Sequence, residues 1–396
     1  MRALVLLRGA LLLIAGGNMP AQDVAVVRVG PNSWSRTVAG SVSVEPQGRL
    51  EVEARGHIVV RGGDAVDRIS YKLVQRVHAR SESEARDLFG SGVLTPAVLG
   101  PVTRIDVHQN SSPNVSNQLQ LTVPRNLTVV SVESQFGAGV EAYDLDGRVN
   151  ALARSGDIRV DHIGGAVLAK ARSGNLFFGR VGAIEECFTG AGSIFVENVL
   201  GGVKSCHTGG GDLVVKQAGA PVVLENEGGN ITVERAAASV EAHAISGMIQ
   251  IGQAGGPVTA DTQGGSIQVG AAPGVRAESA QGTVRVRGSS GPMDVSTAFG
   301  NILAVLVAGA RLRDSTLAAA SGDITVFIPF NFPVSVVVLN DRGGYQQFMS
   351  EFNEVRAMAL PFAPRSPVVA QGRINGGGPV LRINAGTGVV YLRKSR

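Results

Sequence analysis

Apolar and polar residues alternate in short runs between about Gly139 and Val326, and each run begins at the same kind of corner. A small residue, Gly and a small polar residue come first, and the pattern apolar–any–apolar follows. The corner returns every 17 to 19 residues, with one longer step before the last copy. A fixed spacing in this range is typical of one structural unit per repeat, stacked on its neighbours. The copies are SGDIRV at Ser155, SGNLFF at Ser173, AGSIFV at Ala191, GGDLVV at Gly210, GGNITV at Gly228, SGMIQI at Ser246, GGSIQV at Gly264, QGTVRV at Gln281, FGNILA at Phe299 and SGDITV at Ser321.

Each corner is followed by two apolar positions that lie two residues apart. Such spacing, with variable residues between, marks the inward face of a β-strand. Counted from the corner Gly as zero, position two holds Ile158, Leu176, Ile194, Leu213, Ile231, Ile249, Ile267, Val284, Ile302 and Ile324. Position four holds Val160, Phe178, Val196, Val215, Val233, Ile251, Val269, Val286, Ala304 and Val326.

A second strand precedes each corner. Seven of the ten repeats place Val or Met seven residues before the Gly, and a small or apolar residue lies five before it. A helix is excluded because the period is two and Gly recurs too often. The first set is Val149, Val167, Val222, Val240, Val258, Val275 and Met293. The second set is Ala151, Ala169, Cys187, Cys206, Leu224, Ala242, Ala260, Ala277, Val295 and Leu317.

These strands predict an all-β fold, a single-chain parallel β-solenoid of about eleven turns with a period of about 18 residues. At roughly 4.8 Å per turn the rod would be about 50 Å long. The spacing leaves handedness and cross-section open. We expect four regions: a signal peptide at 1–21, a β-rich N-terminal cap at 22–135, the repeats at 136–330, and an excursion loop with a closing turn at 331–396.

Two features refine the expected ends of the rod. SESEARDLFGSG is either a short helix or an exposed loop. TVPRNLTVVSVES, with Pro124, is similar to FIPFNFPVSVVVLND, with Pro329, because both put Pro after an apolar strand and before a β-branched one. We expect the excursion DRGGYQQFMSEFNEVRAMALPFAP to be a loop with a short helix packed on the side of the rod.

The N-terminus indicates export. MRALVLLRGALLLIAGGNMPAQ combines Arg2, an apolar run and small residues near Ala21, as in a secretory signal peptide; an uncleaved membrane anchor is the alternative. Cleavage would remove Arg2 and Arg8 and lower the net charge from +4 to +2. Because no cluster of basic residues remains, we expect no nucleic-acid partner, and no membrane association after cleavage.

Cys187 and Cys206 are the only cysteines, and they occupy the same position in adjacent turns. Their Cα atoms should lie about 4.8 Å apart, within reach of a disulfide, which suits an exported protein. The alternative is two reduced cysteines acting as small core residues. The same two turns shift their apolar residue by one, to Ile184 and Val203, which predicts a shared bulge.

No catalytic, cofactor-binding or metal-binding site is predicted. His207 and His243 share an outward position but lie two turns apart, about 10 Å, too far for one metal ion to bridge easily. Asp157, Asp212 and Asp323 fall at corners, where they are expected to cap backbone groups. No acidic or basic groups repeat along one outward groove in adjacent turns, so we predict that the protein is not an enzyme.

One outward feature is distinctive: Phe177, Phe195 and Val214 share position three in three consecutive turns. Contiguous exposed apolar residues often mark a contact site. The alternative is that the C-terminal excursion lies over them.

The SGDI.V corners, the Pro-bearing strands and the ending INGGGPVLRINAGTGVVYLRK resemble a family of bacterial envelope proteins catalogued as putative adhesins with a domain of unknown function. The resemblance runs from about Gly48 to the C-terminus. It implies an exported, non-enzymatic β-solenoid, which we expect in the periplasm, at the outer cell surface or outside the cell. We expect a monomeric or weakly associating rod that binds an envelope protein or a glycan. The alternatives are a polysaccharide-acting β-helix enzyme and an end-to-end envelope scaffold.

Overall fold

The computed structural model describes residues 22–23, 26–90, 93–108, 115–135, 137–309, 312–340, 347–358 and 368–395. The predicted signal peptide, residues 1–21, lies outside these ranges. The described residues form 35 strands and one α-helix, so the predicted all-β fold is confirmed.

The strands fall into an N-terminal end, a body and a C-terminal end. The N-terminal end contains β1 (Gln22–Asp23), β2 (Val27–Gly30), β3 (Ser33–Ser43), β4 (Arg49–Ala54), β5 (His57–Gly63), β6 (Arg68–His78), α1 (Glu82–Gly90), β7 (Val93–Leu99), β8 (Val102–His108) and β9 (Val115–Pro124). The body contains β10 (Val129–Ser134), β11 (Val140–Leu145), β12 (Arg148–Ala153), β13 (Ile158–Ala171), β14 (Leu176–Thr189), β15 (Ile194–Val199), β16 (Val203–Thr208), β17 (Leu213–Ala218), β18 (Val222–Asn226), β19 (Ile231–Ala236), β20 (Val240–Ala244), β21 (Ile249–Ala254), β22 (Val258–Thr262), β23 (Ile267–Ala271), β24 (Val275–Ser279), β25 (Val284–Ser289), β26 (Met293–Phe299), β27 (Ile302–Leu306), β28 (Ser315–Ser321) and β29 (Ile324–Pro329). The C-terminal end contains β30 (Val334–Asn340), β31 (Phe348–Ser350), β32 (Arg356–Met358), β33 (Val368–Ile374), β34 (Val380–Ala385) and β35 (Val390–Ser395).

In the body, strands before and after each corner form two parallel stacks, so the predicted parallel β-solenoid is confirmed. The strands before the corners form the back stack, and the strands after the corners form the front stack. One back-stack strand and the front-stack strand that follows it form a rung. The back stack runs β10, β12, β13, β14, β16, β18, β20, β22, β24, β26 and β28. The front stack runs β11, β13, β14, β15, β17, β19, β21, β23, β25, β27 and β29. Strands β13 and β14 are long enough to serve in both.

The interior of the rod is the predicted set of ladders. Every residue predicted to point inward in the two strands of each repeat is buried, including Ile158, Ile231 and Ala242, each 0% exposed. The predicted bulge at Ile184 and Val203 is confirmed, since these two residues pair with each other while the register slips on both sides, in β13–β14 and β16–β18.

At the corners, backbone meets backbone. A Cβ atom on Gly192 would overlap the carbonyl oxygen of Gly174 in the rung below, which is why Gly occupies the corner. The predicted capping by corner aspartates is confirmed: Asp157 Oδ1 accepts from the amide of Asn175 at 2.8 Å, and Asp212 Oδ1 accepts from that of Asn230 at 2.8 Å.

A buried polar residue three positions before many corners was not predicted. Thr208 is 0% exposed, donates from Oγ1 to the Gly192 carbonyl at 2.6 Å and accepts from the Gly211 amide at 3.3 Å. Thr189, Asn226 and Thr262 make the same pair of bonds at their own corners. In the four repeats with Ala in this place, the corner glycines take a positive φ instead: Gly156, Gly174, Gly247 and Gly322. The polar side chain therefore selects the corner conformation.

At the N-terminal end, one rung is inserted out of chain order. Strand β4 lies between β8 and β10 in the back stack, and β5 lies between β9 and β11 in the front stack. Antiparallel β6 and β3 cover β9, and antiparallel β7 covers β8. Within the segment SESEARDLFGSG, Glu82–Gly90 forms helix α1, begun by a capping box in which Ser81 and Glu84 satisfy backbone amides; residues 91–92 lie outside the described residues.

The C-terminal end is built in the same way. The last rung, β34 and β35, lies between β28–β29 and the strands β30 and β31. Strand β33 then pairs antiparallel with β30 and β32. The expected short helix in the excursion is wrong for residues 347–358, which instead form β31 and β32; the other expected parts, 341–346 and 359–364, lie outside the described residues. Pro124 and Pro329 both end a front-stack strand just before the chain crosses to the back stack, so the sequence similarity marks equivalent links.

Candidate functional site

The three residues Phe177, Phe195 and Val214 form one outward row on the front stack. Phe177 pairs in register with Phe195, and Phe195 pairs with Val214. The two phenyl rings are stacked, with centroids 5.4 Å apart and planes within 9°. Phe195 is 39% exposed. The structure therefore brings the predicted residues together on one surface.

A cation extends this row by one rung. Arg159 pairs with Phe177 in register, and its guanidinium carbon lies 4.7 Å from the centroid of the Phe177 ring. Such a cation–π contact adds to the stacking of the rings. We call Arg159, Phe177, Phe195 and Val214 the aromatic ladder. Because Arg159 covers one face of the Phe177 ring and Phe195 covers the other, Phe177 can offer a partner only its ring edge.

A second outward row runs beside the ladder and closes a shallow groove of about 420 Å³. The row contains Tyr143, Asp161, Gly179, Glu197 and Lys216. Burial, helped by a hydrogen bond from the hydroxyl to Glu141, raises the pKa of Tyr143 to about 12, so the hydroxyl stays protonated and can donate. Lys216 Nζ lies 3.3 Å from Glu197 Oε1. The groove thus joins an apolar wall to a polar row with two carboxylates, Asp161 and Glu197, and one ammonium group, Lys216.

The described part of the excursion does not cover the ladder. Strand β31 pairs with β35, and β32 pairs with β33, both at the C-terminal end of the rod. Eight strand-to-strand steps separate β15, which carries Phe195, from β35 in the front stack. At about 4.8 Å per step this is nearly 40 Å. The expectation that the excursion lies over the ladder is therefore wrong for residues 347–358.

Cys187 and Cys206 lie opposite each other in the back stack, inside the rod. Their Cα atoms are 4.5 Å apart, each residue is 1% exposed, and the two sulfur atoms are bonded. A bond here ties the two rungs that share the bulge. Whether the disulfide forms in the cell stays a prediction.

Two histidines on the outer side of the back stack each contact two carboxylates. His207 lies 3.3 Å from Glu225 and 3.4 Å from Glu227; His243 contacts Asp261 and lies 3.0 Å from Glu241. Burial lowers the pKa of His243, but hydrogen bonds to the carboxylates of Glu241 and Asp261 outweigh burial and raise the pKa above its usual value. Glu225 lies between the two histidines, two rungs apart as predicted.

In the described ranges, no group of three His, Cys, Asp or Glu side chains is placed to hold a metal ion. No helix in those ranges has the length and apolar character needed to cross a bilayer.

An acidic groove at the N-terminal end overturns the expectation that no acidic groups repeat along one outward groove in adjacent turns. Asp106, Glu53 and Glu133 lie in register in three successive rungs of the back stack, in a groove of about 380 Å³ that Leu152 also lines. Arg104 contacts Asp106 at 2.8 Å and Glu53 at 3.4 Å. Acidic residues therefore do repeat in adjacent rungs. The sequence spacing could not show this, because the rung of β4 is inserted out of order.

No protein-family model and no curated protein matches this chain. The chain matches several solved structures, among them a putative adhesin from Parabacteroides merdae, 10% identical, covering 73% of this chain and 95% of that one, with a TM-score of 0.25. A putative adhesin from Bacteroides fragilis is 10% identical and covers 91% of this chain and 97% of that one, with a TM-score of 0.21. A putative cell adhesion protein from Clostridium sporogenes is 9% identical and covers 90% of this chain and 99% of that one, with a TM-score of 0.16.

Proposed function

We propose that this chain is an exported, non-enzymatic β-solenoid of the bacterial cell envelope that binds a partner, an envelope protein or a glycan, through the aromatic ladder. The supporting observation is the outward stack of exposed Phe195 on half-buried Phe177, flanked by Arg159. Contiguous exposed apolar residues mark contact sites on soluble proteins. Aromatic and Arg side chains are also enriched in protein interfaces.

The rod around the ladder acts as a rigid support. Its interior is filled by apolar ladders, and its outward residues change from rung to rung, so one face can carry a specific surface. Among the described residues, the stacked Phe pair is the longest run of outward aromatic rings in register on the front stack. The outward side chains can therefore provide a binding surface while the backbone of the solenoid stays the same from rung to rung.

A matched pair of variants tests this proposal. Phe195 is 39% exposed on the front stack and Phe188 is 38% exposed on the back stack, so Phe188→Asp is a control of equal chemistry for Phe195→Asp. We expect the exported protein to bind components of the envelope fraction or of a glycan array, and Phe195→Asp alone to abolish binding. Equal binding by both variants would contradict a role for the ladder.

The acidic groove favours one second candidate, a polysaccharide-acting enzyme. Neighbouring parallel strands lie about 4.8 Å apart, close to the carboxyl separation of a retaining glycosidase, and Glu53 and Glu133 are paired in this way. Turnover of a panel of polysaccharides that is lost in Glu133→Gln, but kept in Phe195→Asp, would establish this activity and refute the non-enzymatic proposal. End-to-end assembly is not proposed, because antiparallel strands cover β8, β9 and β30 at the ends.

A further inference from the structure

Two neighbouring outward rows run along the front stack: the aromatic ladder and the second row beside it. The residues of both rows on one side of a dividing line are complementary to those on the other side. The line runs along the strands, between the rung of Phe177 and the rung of Phe195. On one side the rungs carry Glu141 with Tyr143, Arg159 with Asp161, and Phe177 with Gly179. On the other side they carry Phe195 with Glu197, Val214 with Lys216, and Thr232 with Glu234.

We propose that the partner of the ladder is a second copy of this chain, packed face to face with its rod axis reversed. The inference rests on the proposed function, because it names the partner of the same surface. A two-fold axis along that line gives an isologous interface, in which each contact occurs twice. It revises the expectation of a monomer.

Under this rotation the residues named below face residues of the second copy that are compatible in charge or in size. Asp161 faces Lys216 of the second copy, so two ion pairs form. Phe177 faces Phe195 of the second copy, and Gly179 faces Glu197, whose side chain gains room because Gly has none. No two like charges face each other in these rungs. Complementary charge fixes the register of such a contact.

The shape of the ladder fits a sheet better than a sugar. A sugar ring binds by lying on an aromatic face, and both faces of Phe177 are already covered, by Arg159 and Phe195. Ring edges that project from a flat stack can instead interdigitate with the side chains of a second sheet about 10 Å away. The front stack of a second copy offers a matching flat surface.

Sedimentation velocity of the full chain, as processed by the exporting cell, tests the proposal. We expect a dimer whose fraction rises with concentration. Lys216→Glu should weaken it about a hundredfold or more, because Glu then faces Asp161 twice. Asp161→Lys should do the same, since Lys then faces Lys216. Mixing these two variants should restore a heterodimer, in which both contacts again join opposite charges.

Further variants keep the test decisive. Asp161 Oδ1 also accepts from the Arg180 amide at 2.8 Å, so far-UV circular dichroism must show that Asp161→Lys folds; if it does not, Phe195→Asp, with Phe188→Asp as control, replaces it. A monomer at all concentrations, or equal dimers in both Phe variants, would overturn the inference. If Phe195→Asp still abolishes binding to an envelope protein or glycan while the wild type stays monomeric, the proposed function stands and only the second copy is refuted.

Discussion

The body of the rod and its two ends use the same strands in different order. In the body, each rung stacks on the one that precedes it in the chain, as β19 on β17 and β21 on β19. At each end one rung is inserted instead: β4–β5 at the N-terminus and β34–β35 at the C-terminus. The neighbours of a residue follow from the repeat in the body, but from the path of the loops at the ends.

The ends also close the stacks. An unpaired edge of a parallel stack would recruit further strands; antiparallel strands cover β8, β9 and β30, and the three-residue strand β31 lies at the C-terminal end of the front stack. At the N-terminus, α1 adds a small separate core around Phe89, which is 0% exposed. Arg36 joins this helix to the sheet, because its guanidinium donates to Gln75 at 2.6 Å and to the Phe89 carbonyl at 2.9 Å. The other buried apolar residues described at the two ends belong to the main core of the rod, so only the cluster around α1 is packed separately.

The largest difference between body and end should appear at glycines. Gly192→Ala places a Cβ atom in the backbone of Gly174, so every rung above must shift, and we expect a loss of about 4 kcal/mol or more in the free energy of unfolding. Gly90, at the end of α1, has no atom within 4 Å of an added Cβ, so Gly90→Ala should change stability by less than about 0.5 kcal/mol. Denaturant unfolding followed by circular dichroism measures both. Equal losses in the free energy of unfolding would show that the close backbone contacts at the corners do not determine the stability of the body.

The body could be predicted from sequence because stacking repeats one local rule. Apolar residues two apart define the inward face, and an equal spacing brings like positions together; this placed Cys187 beside Cys206 and Phe177 beside Phe195. The polar residues before the corners, such as Thr208, escaped notice because Ala replaces them in some repeats. Small polar residues three positions before six of the ten corner glycines were the available signal.

The ends could not be predicted in the same way. The acidic groove joins Asp106 to Glu53, more than fifty positions earlier, and only the inserted rung makes them neighbours. No periodic pattern encodes that pairing. Arg159 at the aromatic ladder was missed for a different reason, since it holds the same outward position one turn earlier but is not apolar. A search for cations beside outward aromatic residues would have found it.

The disulfide gives the next largest effect, again in the body. Replacing both Cys187 and Cys206 by Ala opens a loop with a sequence separation of 19 and should cost about 3 kcal/mol. Helix α1, which packs in a separate core, should keep its hydrogen-exchange protection. Mass spectrometry of the folded, unreduced protein after thiol alkylation provides the control. Two alkylated cysteines in the folded, unreduced protein would contradict the disulfide.

A buried hydroxyl in the body should matter less. Thr208→Val keeps the shape of the side chain but leaves the Gly192 carbonyl and the Gly211 amide without their partner, at a cost of about 1 to 3 kcal/mol. Thr232→Val makes the same chemical change on the outer side of the front stack and should cost less than about 0.5 kcal/mol. Thermal unfolding of the two variants compares them. A cost for Thr208→Val no larger than for Thr232→Val would show that the corner bonds contribute little.

The smallest effect concerns His243 in the body. Its ring contacts the carboxylate of Glu241 in the same strand and that of Asp261 in the adjacent rung. Because its pKa is raised above the ordinary 6.5 in the folded protein, its contribution to stability is fully present below pH 6.5 and is lost as pH rises through the folded pKa. His243→Gln should therefore destabilise the protein only on the acidic side and match the wild type at alkaline pH. Titration of the ring protons by NMR measures the pKa directly, and Asp261→Asn should lower it. A titration midpoint at or below pH 6.5 in the wild type would show that solvent screens the two carboxylates from the His243 ring. In-register neighbours on the outer surface of the body would then lie close together without stabilising each other.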